Sequence, residues 1–319
     1  SQFQKIADQY EYRKNAILKV IDNSEIKIDD IKIIVARGGL IKPIKSGVYY
    51  VNERMLEDLR NGVLGQHASN LGGLIANDIA KSLSNTKAFI ADPVVVDELE
   101  EVARISGHPL FQRISIFHAL NQKAVARNYA KSISKDYNEL NLIVAHLGGG
   151  ISVGAHRKGR VIDVNQALNG EGPFSPERSG TLPVGDLVEL CFSGKYSKKE
   201  IKEMITGKGG YVAYLGTNDA YEVEKRIDAG DERAKLIHEA MAYQVAKEIG
   251  AMYAVLMGDV DAILLTGGIA YDKKFVELIK MRVEKMAPVM VYPGEDEMRA
   301  LAENGLMVLN GEITPLEYY

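Results

Sequence analysis

The sequence predicts an α/β protein of two domains. Three observations carry this reading. Short apolar runs that end on glycine or a polar residue alternate with longer stretches of helical period, as in layered α/β folds. Residues 141–164, NLIVAHLGGGISVGAHRKGRVIDV, read as three consecutive strands, turning at the glycines 148–150 and again at the charged tip Arg157, Lys158, Gly159. The chain has 319 residues, 46% of them apolar, which is more than one ordinary core holds.

The elements follow in order. Residues 2–21 carry Phe3, Ile6, Tyr10, Ala16, Ile17, Val20 and Ile21 at roughly helical spacing, predicting an amphipathic helix. IKIIVARGG is the first strand, ending on Arg37, Gly38 and Gly39; a turn through Pro43 to Gly47 leads to a short strand, GVYYV. Helices are expected over residues 53–60 and 68–83, then a strand, KAFIADP, ending on Asp92 and Pro93. Residues 115–133 read as a helix entered at Phe117 and His118 that links the halves. After the three-stranded hairpin, residues 179–207 hold two short helices, and GKGGYVAYLGTND reads as a glycine-rich loop. A long helix over residues 231–257 places Ile237, Met241, Val245, Ile249 and Met252 on one stripe, so its methionines are core. DAILLTGGI, a helix over 273–286, the strand PVMVYPG and a helix over 295–309 complete an α/β half. The first half alternates in the same way but opens on a helix, so a duplicated fold would need a hairpin in front of Ser1. The opening serine itself points to a natural start further upstream. Domain boundaries are expected at 1–94 plus 297–319 and at 95–296.

Composition excludes several function classes. A net charge of −4 with Lys and Arg spread along the chain leaves no electrostatic footprint for nucleic acid or an anionic membrane. No stretch reads as a signal peptide or a membrane span. The single cysteine, Cys191 in LVELCFSG, excludes an internal disulfide, fits a cytoplasmic setting, and is expected to pack in the core.

Residues that can carry chemistry gather at strand ends and glycine turns. A buried run ending in Gly148, Gly149 and Gly150 suits backbone wrapped around a phosphate, or equally a bare tight turn. Because these glycines sit in a hairpin and neither GxxxxGK[ST] nor GxGxxG occurs, the phosphate reading narrows to a hairpin-type nucleotide site. His146, just before them, either orders the loop or donates to a phosphate. Arg37, beside two glycines, offers a planar fork to carboxylate or phosphate oxygens, or makes a surface ion pair. Arg178 lies in the proline-bounded loop PFSPERSG, where loops on rigid scaffolds often hold ligands. Asp92 projects from a strand end, to hold hydrated Mg²⁺ or to cap a helix. His67 and His118 fall at predicted helix starts, where an anion is favoured and where capping is an ordinary use. His108 and His238 read as structural, and His156 sits beside the hairpin tip. No zinc spacing and no GxSxG elbow is present.

ARGGL, GQHASNLG, ADPVVVDE, SIFHALNQK, HLGGGISVGAHRKGRVIDV and GPFSPERSGTLP, in this order, resemble the butyrate kinases and branched-chain fatty acid kinases of the acetate kinase family, along essentially the whole chain. The resemblance implies the duplicated ribonuclease-H-like fold of the acetate and sugar kinase, chaperone and actin superfamily. It also implies ATP-dependent phosphorylation of butyrate or a related short-chain acid, with ATP or ADP and Mg²⁺ as cofactors and ATP lying across the cleft between domains. By motif, Arg37 and Arg178 would flank the transferring phosphoryl group and the carboxylate. Asp92 would orient the acceptor or hold Mg²⁺, and His118 would stabilise developing charge. His67, with Asn70 and Phe117, would line the acyl pocket. His146, Gly148, Gly149 and Gly150 would form a phosphate loop, while Gly267, Gly268, Ile269 and Asp219 would face the adenosine.

Acetate kinases read HLGNG and HNP where this chain has HLGGG and HAS, which favours the longer-chain branch. Acetate or propionate phosphorylation is the neighbouring alternative. The family's opening motif, N-x-G-S-x-S-x-K, is absent, so the sequence reads either as a shortened chain or as a protein lacking half its phosphate grip. A non-catalytic nucleotide-binding module is therefore a second reading, and a chaperone-like or actin-like ATPase a third. The resemblance also implies a homo-oligomer, a dimer or larger, with a small carboxylic acid and a nucleotide as partners.

Overall fold

β-Branched and aromatic residues in short runs build the strands of this protein. In the computed structural model, which describes Phe3 and residues 6–319, they assemble two separate sheets. One lies in each of two units, Ser1–Asp97 with Asp296–Tyr319, and Glu98–Glu295, so the expected boundaries at 94 and 296 move to 97 and 295.

The first unit begins with a 3₁₀ turn, Ile6–Gln9, followed by α1, Tyr10–Asp22. The helix expected over residues 2–21 thus starts later, and Gln2 lies outside the described residues. There follow β1 (Ile33–Arg37), β2 (Val48–Tyr50), α2 (Glu53–Asn61), α3 (Asn70–Lys81) and β3 (Lys87–Ala91). The sheet order is β1-β3-β2: β1 runs parallel to β3 with Arg37 opposite Ala91, and β2 runs antiparallel with Val48 opposite Ala91. Arg37 and Asp92 therefore leave the same end of the sheet. Among the described residues β1 is an edge strand. α2 is set by its ends: Asn52 accepts the Met55 N–H at 3.0 Å, and Gly62 closes the helix at φ 63°. α3 presses on β1 through Gly72, where an added Cβ would stand 2.5 Å from the Arg37 carbonyl oxygen.

The second unit contains α4 (Glu101–Arg104), α5 (Ala119–Ser132), β4 (Asn141–Leu147), β5 (Ile151–Arg157), β6 (Arg160–Val164), α6 (Val184–Phe192), α7 (Lys198–Ile205), α8 (Gly210–Leu215), α9 (Ala220–Asp228), α10 (Glu232–Val255), β7 (Ala262–Gly267), α11 (Lys273–Val283) and β8 (Val289–Pro293). The expected three-stranded hairpin is β4-β5-β6, antiparallel throughout, with Leu147 opposite Ile151 across the glycine turn. β7 then runs parallel to β4 and β8 parallel to β7, giving the order β6-β5-β4-β7-β8. Strand alternation sorts the side chains. Ile143, Ala145, Leu147, Val153 and Ala155 face a core with Met241, Val245 and Ile249 of α10 and Phe275 and Ile279 of α11. Leu142 and Val144 face the other way, onto Val125, Ala126 and Tyr129 of α5. Ser152, Gly154 and His156 share the α5 side of β5. The last helix, α12 (Glu297–Leu309), belongs to the first unit and lies on β1, with a Cβ at Gly305 reaching within 2.9 Å of Val35.

Two expectations are corrected. GKGGYVAYLGTND is not a loop throughout: residues 210–215 form α8, which buries Tyr211 completely and ends at Gly216 with φ 76°. Its glycines serve as helix ends rather than as a flexible run. Cys191 is exposed, because α6 is apolar in sequence yet buries no residue; Val184 and Phe192 are 72% and 87% exposed.

Candidate active site

In the second unit, the carboxyl ends of the parallel strands β4, β7 and β8 converge, the usual place for a site in an open α/β sheet. β4 delivers His146, 1% exposed, and then the turn of residues 148–150, closed by the Gly148 N–H donating to the Gly150 carbonyl at 3.1 Å. β7 ends at Gly267 with φ 90°, its Cα so close to the main chain of Leu147 that no side chain fits. Gly267 and Gly294 exchange two backbone hydrogen bonds, 3.2 and 2.9 Å, which brings Glu295 to His146, Oε1 to Nε2 at 3.2 Å. The other ring nitrogen of His146 meets Asn121 Oδ1 at 2.8 Å. His118, just ahead of α5, stacks on His146 with centroids 3.7 Å apart and planes 11° from parallel.

Arg178 completes this group. Ser175 Oγ donates to the Gly149 carbonyl at 2.6 Å, and the Ser175 N–H to the Arg178 carbonyl at 3.0 Å, so the PFSPERSG turn is tied to the glycine loop. The guanidinium lies directly against Gly150, where an added Cβ would overlap it. Nη1 donates to the Ala167 carbonyl at 2.8 Å, while Nε is buried without a partner. Burial lowers the Arg178 pKa although Glu177 stands nearby. A desolvated guanidinium with donors in reserve beside a glycine turn is built to receive an oxyanion.

The remaining predicted residues of this unit are placed less directly. Gly268, with open space where a Cβ would stand, opens a 3₁₀ turn that buries Ile269 to 5%. Asp219 is an exposed N-cap of α9, accepting the N–H groups of Tyr221 and Glu222. Phe117, 2% exposed, is core.

In the first unit the strand register puts Arg37 and Asp92 at one end of the sheet. Arg37 Nη1 pairs with Glu297 Oε2 of α12 at 3.0 Å. Asp92, 1% exposed, accepts from Ser46 Oγ at 2.5 Å and the Gly47 N–H at 2.9 Å, and caps no helix. Its φ of 35° lies where a non-glycine residue is strained, a condition that clusters at functional sites. His67 and Asn70 border a cavity of about 520 Å³ together with Tyr10, Leu59, Leu71 and Leu74. The Ser69 N–H donates to His67 Nδ1 at 3.2 Å, which puts the proton of the neutral ring on Nε2. The Asn70 amide is occupied: Oδ1 accepts from Leu40 N–H at 2.9 Å and Nδ2 donates to the Gly65 carbonyl at 3.1 Å. Among the described residues no group of three or more His, Cys, Asp or Glu can hold a metal ion.

Sequence reading passed over Glu295 and Glu297, although GEDE follows directly on a strand end, and over Gln122, one helical turn after His118.

The sequence model of the acetokinase family matches residues 111–307. Butyrate kinase 2 from Clostridium acetobutylicum is 58% identical over 316 residues, 99% of this chain and 88% of that protein. The chain belongs to the acetokinase family. Solved structures of other members share its fold. Acetate kinase from Porphyromonas gingivalis matches with a TM-score of 0.78 at 22% identity, over 93% of this chain and 84% of that one. A propionate kinase from Francisella tularensis matches at 0.76 and 21%, over 92% and 83%. Family membership supports the α/β reading and the expected actin-like ATPase architecture. Among the described residues of this acetokinase-family chain, no helix is long and apolar enough to cross a membrane.

Proposed function

We propose that this chain transfers the γ-phosphoryl group of ATP to the carboxylate of butyrate or a related short-chain or branched-chain acid, reversibly, giving the acyl phosphate and ADP. A carboxylate oxygen forms the new bond to phosphorus as the bond to the β,γ-bridging oxygen breaks. The observation that carries the reading is Arg178, desolvated against Gly150 with Nε unpartnered. Identity of 58% to a butyrate kinase supports the choice of acid.

In this reading the turn of residues 148–150, with His146, wraps the nucleotide phosphates, and Gly267, Gly268 and Ile269 face the adenosine. The exposed cap Asp219 is kept on that side on the family resemblance alone. Arg178 and His118 meet the charge that builds on the phosphoryl oxygens, where one well-placed donor is worth about 10²–10³ in kcat. Within the first unit, Arg37 and Asp92 are the candidate residues for a carboxylate, and the cavity beside His67 is the candidate for an acyl chain. Phosphoryl transfer asks for positioning and charge stabilisation rather than covalent chemistry, which suits this inventory. Mg²⁺ would come with the nucleotide, whose phosphates and water supply most of its ligands. When bound it would neutralise phosphate charge; Asp92, which accepts from Ser46 and Gly47, would be its candidate carboxylate ligand.

A cytoplasmic setting and a homo-oligomer belong to the same reading, the latter supported by the exposed apolar residues of α6. Hydroxylamine trapping of acyl phosphate across acetate, butyrate and isobutyrate tests the proposal. Butyrate or isobutyrate should give the highest kcat/KM. A preference for acetate would make the chain an acetate kinase, and nucleotide binding with no hydroxamate from any acid would make it a binding module.

A further inference from the structure

His118 is the far end of a buried polar chain whose direction can be worked out atom by atom. Gln122, fully buried on α5, approaches the Ser152 main-chain carbonyl at 3.0 Å. A carbonyl only accepts, so the atom facing it is the amide nitrogen, and Oε1 is the atom facing His156 Nε2 at 2.9 Å. His156 Nε2 therefore carries a proton, and Nδ1 accepts from the Tyr137 hydroxyl at 2.7 Å. Burial, with Lys123 and Arg127 nearby, keeps His156 well below the usual imidazole range, in keeping with a neutral ring. At the other end Gln122 Nε2 also donates to Ser152 Oγ at 2.9 Å. The His118 main-chain N–H points at the same oxygen at 3.5 Å, so both lone pairs of Ser152 Oγ face donors and its proton turns to His118 Nδ1, 2.8 Å away.

We infer that Tyr137, His156, Gln122 and Ser152 form a one-way hydrogen-bond relay that fixes His118 in the tautomer protonated on Nε2, making them positioning residues for a His118 donor. Space for the relay is reserved in the backbone: a Cβ at Gly154 would stand 2.6 Å from Gln122 Oε1 and 3.3 Å from His156 Nε2. Stacking on His146 fixes the ring plane, and the relay decides which nitrogen carries the proton. The use of that donor, toward the phosphoryl oxygens, rests on the phosphotransfer reading; the tautomer itself does not.

Long-range ¹H–¹⁵N correlation of the full chain, compared with Ser152→Ala, separates the two. The wild type should show a pyridine-like Nδ1 and a pyrrole-like Nε2 for His118, and Ser152→Ala a mixture of tautomers. Gln122→Met, which keeps the Ser152 hydroxyl but frees it to rotate, should also mix them. In both variants kcat should fall about ten- to a hundredfold, with KM for nucleotide and acid little changed, since the lost contact is one of alignment. An Nδ1-protonated ring in the wild type, or a tautomer unmoved in both variants, would overturn the relay. A mixed tautomer with unchanged kcat would overturn its positioning role. The expected tautomers in a wild type that makes no acyl phosphate would overturn the phosphotransfer reading and leave the relay standing.

Discussion

The guanidinium of Arg178 occupies the space that a side chain at position 150 would need, so Gly150 is glycine because of its neighbour rather than because of its own backbone angles. Gly150→Ala should push the arginine off the loop while leaving the β4-β5 hairpin paired. We expect a loss of about 10²–10³ in kcat, matching Arg178→Ala, and no further loss in the double variant. Steady-state hydroxamate assays beside thermal unfolding check this. A Gly150→Ala protein with normal turnover would show that the contact is idle.

Lys123 is 1% exposed, with Nζ donating to Glu98 Oε2 at 2.8 Å and to the Gly159 carbonyl at 3.0 Å. Glu98 Oε2 in turn accepts the Val161 N–H at 2.9 Å, so the pair pins the far end of the hairpin. Lys123→Met leaves a buried carboxylate unpaired and should cost about 3–5 kcal/mol by urea unfolding. Adding Glu98→Gln should recover part of it.

His156 gives a pH signature. The unfolded chain titrates this ring near its ordinary value of 6.5, whereas the folded chain holds it well below. As pH falls through about 6.5 the unfolded state takes up a proton that the folded state refuses. Stability is therefore full above that pH and declines below it, by at most about 1.4 kcal/mol per unit. His156→Gln, which can still bond Tyr137 and Gln122, should flatten this decline in urea midpoints taken from neutral pH down to about 5. Equal slopes would mean that the ring titrates normally in the fold.

Asp92→Asn keeps an oxygen for Ser46 and Gly47 and tolerates φ of 35°, so folding should change by less than about 1 kcal/mol. Turnover should still fall by about 10² or more, because only the charge is gone. A protein that loses stability instead would place Asp92 among the structural carboxylates.

What the sequence made legible was local. The hairpin of residues 141–164 announced itself through alternation and glycine, and Arg178 through prolines that bound its loop. Polar residues at strand ends marked Arg37, Asp92 and His146. What stayed hidden depends on which surfaces meet. Gln122 looks like a solvated helix position until α5 is laid on β5, thirty residues away, and Glu295 and Glu297 look like a charged loop until β8 and α12 carry them to His146 and Arg37. Cys191 misled for the converse reason: an apolar period promises burial only if something is there to cover it.

The edge position of β1 has a kinetic corollary. β7, with partners on both sides, should surrender its amide protons to deuterium only when its sheet opens. Every second amide of β1 points away from β3, and those should exchange from the intact fold, on the timescale of solvent contact. Any strand that came to pair there, from whatever source, would register as a slowing confined to those alternate amides.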